Sequence, residues 1–65
     1  MKLNSKTKHD LKQGDFLTND YFTLYIELLE KCGNCIYITV IDIKDNRRIY
    51  FQPLSGYYGM DIISQ

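Results

Sequence analysis

Cys32-Gly33-Asn34-Cys35 is the one spacing in this chain with well-known chemistry attached. A C-x-x-C acts as a redox pair when its first thiolate sits at a helix N-terminus, and it makes half of a tetrahedral zinc site when a second pair completes the set. The chain has no second pair, and its single histidine, His9, lies in a polar stretch away from the motif. Free thiols in a reducing environment are therefore expected, with a disulfide across the turn and a zinc ion shared between chains as alternatives. No metal or cofactor is expected to reside in the chain.

The remaining candidates for catalysis are thinner. A triad needs a base held by a third group, and His9 has no rigid setting. The carboxylate pairs Glu27/Glu30 and Asp42/Asp45 each stand beside Lys31, Lys44 or Arg47, as on a solvated face. Gly56 and Gly59, in Ser-Gly-Tyr-Tyr-Gly, lack the lysine and helix of a phosphate loop. The expectation is a protein that is not an enzyme.

Tyrosine is over-represented, with six in 65 residues. Its rigid, amphipathic ring suits binding surfaces, and Tyr21, Tyr50, Tyr57 and Tyr58 fall in or near turns where they could meet a partner. The plainer reading is that these rings cap a small core with their hydroxyls in water. A second set, Lys6, Lys8, Lys12, Arg47 and Arg48, could contact phosphates, with tyrosines stacking on bases.

Eight basic and eight acidic side chains balance to a net charge of zero. Four lysines against Asp10 give the first fourteen residues +3, which leaves −3 for the body. The basic arm could hold phosphates, whereas the zero net charge and the mildly acidic body argue against a nucleic-acid module, which usually carries a clear basic excess. The hydrophobic share of 45% is that of a folding chain, and no apolar run reaches the roughly 20 residues of a membrane helix. The polar start Met1-Lys2-Leu3-Asn4-Ser5-Lys6 has no signal-peptide core, so a cytoplasmic protein is expected.

These groups need elements to hold them. Residues 1–10 show no hydrophobic periodicity and read as a flexible, disordered basic arm, with the domain at 11–65. Phe16-Leu17 follows the Gly14-Asp15 turn as a short strand. Tyr21 to Lys31 fits two periods: Tyr21, Leu24, Tyr25, Leu28, Leu29 and Cys32 at helical spacing, or Phe22, Leu24, Ile26 and Leu28 on one face of a strand. Gly33-Asn34 favours the strand, since glycine first in a two-residue loop suits a type II′ hairpin into Ile36–Ile43. A helix at residues 20–32 packed on a small antiparallel sheet, an α+β fold, is the alternative. Lys44-Asp45-Asn46-Arg47 forms a second turn, Arg48–Gln52 a strand ended by Pro53, and Met60–Ser64 the last strand. Phe22, Leu24, Ile26, Ile36, Ile38, Val40, Ile49 and Phe51 are the expected core, with Tyr25 and Tyr37 outside.

Five short strands, two tight hairpins and a turn before the last strand make an all-β layout that resembles, at the level of topology, a small SH3-like barrel over residues 11–64. Pro53-x-Ser55-x-Tyr57 is similar to the proline, serine and tyrosine that precede the last strand of eukaryotic SH3 domains. There, the tyrosine helps form the ligand groove. The chain departs from that family in lacking tryptophan and the alanine-leucine-tyrosine-aspartate-tyrosine run, which argues against proline-rich ligands. By the resemblance, the loop holding Tyr57 and Tyr58 should lie beside the one holding Tyr21.

The function expected from these features is a non-enzymatic protein-interaction module that uses the tyrosine-rich loops or an added strand at an imperfectly closed edge. Small solitary domains of this kind are common among phage and mobile-element accessory proteins and inhibitors. Nucleic-acid binding through the basic set is the alternative, and self-association through Tyr25 and Tyr37 a third reading.

Overall fold

The computed structural model describes residues 1–65. Its strands are β1 (Phe16–Thr18), β2 (Thr23–Cys32), β3 (Cys35–Asp42), β4 (Arg47–Pro53) and β5 (Asp61–Ile63), with single 3₁₀ turns at Lys8–Asp10 and Leu54–Tyr57. Gly33 explains why the ambiguous segment is a strand. It takes φ +61, a left-handed value that glycine reaches without steric cost, and so lets β2 fold straight back onto β3 with Cys32 opposite Cys35. A helix would have buried Tyr21, Leu28 and Cys32 together, yet all three are exposed. The α+β alternative is thereby corrected: the molecule is all-β.

The strands form one antiparallel sheet in the order β4-β3-β2-β1-β5. β4 and β5 lie at its two ends and are not neighbours, so the sheet is open. Alternate residues of β3, namely Ile36, Ile38 and Val40, enter the core beside Leu24 and Ile26 of β2, Leu17 of β1 and Ile62 of β5. Leu54 in the second 3₁₀ turn and Met60 before β5 close over them. Burial of each such side chain is worth roughly 1.5–3 kcal/mol, which matters in a chain this short.

Two bulges redirect side chains. In β2, Ile26 faces Val40 but Leu28 faces Thr39, so Glu27 is an extra residue. Past it the inward phase moves to Leu29, which packs on the core, while Leu28 is 41% exposed. In β4, Val40 faces Ile49 and Ile38 faces Gln52, which leaves one extra residue at Tyr50-Phe51. Phe51 sits there at φ +48, a left-handed conformation uncommon for an aromatic residue.

The expected core is corrected at Phe22, Ile49 and Phe51, all of which are exposed. Phe22 lies before β2 begins, and every residue of β4 is exposed because the core does not extend beneath this end strand. The expectation of a free arm at residues 1–10 is corrected as well. Leu3 is fully buried, its N–H donates to the Met60 carbonyl, its own carbonyl accepts from Gly59, and Ile62 donates to the Met1 carbonyl. Asn4 then turns the chain by accepting the Lys6 and Thr7 N–H groups on its side-chain oxygen. One apolar side chain, clasped by backbone hydrogen bonds, is enough to dock the segment. No helix is long and apolar enough to cross a membrane.

Candidate functional site

Pro53 ends β4 and opens the second 3₁₀ turn, and Leu54 just after it is buried. That anchor holds Ser55 and Tyr58 against the start of β3, and between them lies a hollow of about 200 Å³. Its walls include Tyr37, Pro53, Ser55 and Tyr58, with Asn34 from the hairpin tip and Lys8 from the first 3₁₀ turn. Tyr37 is braced from the β4 side by Phe51, the two rings stacked at 4.5 Å with planes 1° apart. The bulge makes this stack, since it brings Phe51 to the face that Tyr37 occupies. A cation, a hydroxyl and an amide around aromatic and proline walls can receive an apolar side chain with an acidic group beside it.

A second hollow, wider and more open at about 430 Å³, lies at the other end of the sheet. Tyr21, Phe22 and Ile43 line it, with Asp20 and Lys44 among its polar groups. Asn19 presents the two rings by accepting the N–H groups of Tyr21 and Phe22 on its side-chain oxygen, both at 2.8 Å. Tyr21 is 78% exposed.

The four expected partner-binding tyrosines are not gathered into one cluster. Tyr58 lines the first hollow and Tyr21 the second, and the two share no residue. The first hollow includes Cys35 at the start of β3 and the second Ile43 just past its end, about 25 Å apart along an extended chain. Tyr57 packs on the core, where burial pushes its hydroxyl above the usual tyrosine range. Tyr50 is exposed on β4, and Arg48 lies 5.9 Å from its ring centre.

The basic set is dispersed too. Lys8 lines the first hollow, while Arg47 and Arg48 lie opposite Asp42 and Ile41 at the far end of β3. Arg48 donates to both carboxylate oxygens of Glu27 at 2.8 Å, and that pairing, aided by Tyr50, raises its pKa above the usual arginine value. Its charge is therefore already matched. Lys6 and Lys12 are exposed elsewhere. Of the carboxylates considered for chemistry, Glu27 is committed to Arg48, and Asp42 is buried and accepts the Lys44 N–H in the β3–β4 turn. Cys32 and Cys35 are free and exposed, and His9 is exposed in the first 3₁₀ turn. No group of three His, Cys, Asp or Glu side chains is placed to hold a metal ion.

Phe51 and Asn34 were not legible as site residues, and Tyr37 was read only as a self-association residue, not as a wall of this hollow. Tyr37 reads as a plain outward position, and Phe51 as core, because alternation carries no mark of the bulge that pairs them. Comparison of the chain with family models, curated proteins and solved structures returns no match.

Proposed function

We propose that this chain is a non-enzymatic protein-interaction module of SH3-like topology that grips an extended peptide segment in the hollow between Tyr37, Pro53 and Tyr58. The observation that carries the reading is the stacked Tyr37–Phe51 pair, whose Tyr37 lines one hollow together with Lys8, Pro53 and Tyr58. The strand order and the 3₁₀ turn just before β5 support SH3-like topology, and Pro53-x-Ser55-x-Tyr57 falls at that turn. A hollow of about 200 Å³ with aromatic and proline walls suits an apolar side chain, and Lys8 favours an acidic residue next to it. The cytoplasm is the location that goes with this reading, since exposed thiols persist as thiols in a reducing compartment.

The test is selection of peptides from a random extended library on the immobilised chain, followed by titration of the enriched sequence. Peptides pairing an apolar residue with an acidic one should be enriched, and Tyr37→Ala with Tyr58→Ala should weaken them at least tenfold while the circular dichroism spectrum is kept. Enrichment without such a pattern, or binding indifferent to both substitutions, would overturn the proposal.

A further inference from the structure

The hairpin tip that walls the first hollow carries both thiols of the molecule. Cys32 and Cys35 are direct partners in the β2–β3 ladder, joined only by Gly33-Asn34. Directly opposed antiparallel residues have Cα atoms about 4.5–5.5 Å apart, within the roughly 4.4–6.8 Å that a disulfide spans. Their side chains leave the same face of the ribbon. The Cα spacing is thus that of a disulfide, the Cβ atoms, about 4.5–5.5 Å apart in such a pair, must draw in to roughly 3.5–4.5 Å, and both thiols are open to solvent.

We propose that Cys32 and Cys35 form a reversible dithiol–disulfide site that responds to peroxide and resets the rim of the hollow. One thiolate attacks a peroxide oxygen, breaking the O–O bond to give a sulfenic acid and hydroxide. The other thiolate attacks that sulfur and expels a second hydroxide as the S–S bond forms. The two thiol protons end on these hydroxides, so two thiols and one peroxide give one disulfide and two waters. The two sulfurs are oxidised by two electrons in all, and the peroxide oxygens are reduced. An exposed disulfide is readily reached by a reducing thiol, which makes the step reversible. Closure tightens the tip on which Asn34 and Cys35 face the hollow, two residues before Tyr37. This inference rests on the ladder register and holds whether or not the peptide reading does.

The experiment treats the full chain with one equivalent of hydrogen peroxide. The expected product is a monomer lighter by two hydrogens, blocked to maleimide and restored by dithiothreitol. In ¹⁵N–¹H spectra the oxidised form should shift the amides of Cys32 to Tyr37 together with Lys8 and Tyr58, while Leu17 and Ile62 stay in place. Cys32→Ser and Cys35→Ser should each abolish the intramolecular product. Two maleimides still added after peroxide, disulfide-linked dimers alone, or separate sulfinic acids would overturn the pair. Shifts confined to the four tip residues would overturn its hold on the rim.

Discussion

At the residue scale, Phe51 and Tyr57 are each held against an ordinary preference, and each bears a prediction. Phe51 at φ +48 carries backbone strain on the order of 1–3 kcal/mol. Because its ring is half exposed, Phe51→Gly should cost less than about 1 kcal/mol of stability in urea titrations, as strain relief offsets lost contact. The same variant should lose selected peptides, because Tyr37 is left unbraced. Tyr57 is held neutral by burial, with its folded pKa raised above the 10.0 of an exposed tyrosine. The folded state then keeps this proton longer than the unfolded state does. Its contribution is full below pH 10 and is lost as pH rises through the folded value. Urea midpoints above pH 10 should fall more steeply for the native chain than for Tyr57→Phe.

At the element scale, the N-terminal clasp and the β4 bulge govern the two ends of the sheet. Leu3→Ala should cost about 2–5 kcal/mol, a large part of what a domain of this size possesses, and should lower the urea midpoint accordingly. A solvated arm would show no effect. The hairpin at Gly33-Asn34 and the strand after it could be read from the residues, since the turn chemistry and the run Ile-Tyr-Ile-Thr-Val-Ile-Asp-Ile act locally. Leu3 could not, because a lone apolar residue among polar ones has no period. Nor could the bulges at Glu27 and at Tyr50-Phe51, since one extra residue changes which face a side chain takes and leaves the alternation intact. The site suffered most from this, because Tyr37 meets Phe51 only across a bulge.

At the scale of the whole molecule, the two sheet ends differ. Residues 1–3 cover β5, whereas β4 is open and carries exposed Ile49, Tyr50 and Phe51. A regular strand so placed would invite edge-to-edge pairing, and the bulge and Pro53 interrupt it. Deleting Phe51 should restore regular pairing with β3 and produce concentration-dependent association in light scattering, while the native chain scatters as a monomer. The dispersal of the basic residues has its own expectation. A filter-binding assay at low salt should retain neither single- nor double-stranded nucleic acid; retention that Lys8→Ala abolishes would revive the phosphate-binding reading. The clasp that ties Leu3 to Gly59 and Met60 also orders events during synthesis. The chain emerges from the ribosome with its N-terminus first, at about 5–20 residues per second, so Leu3 waits seconds for the carbonyl and N–H groups that will hold it. Until residues 59–62 clear the exit tunnel the core lacks Met60 and Ile62, and nascent chains stalled before residue 59 should remain open to protease however well the central hairpin has formed.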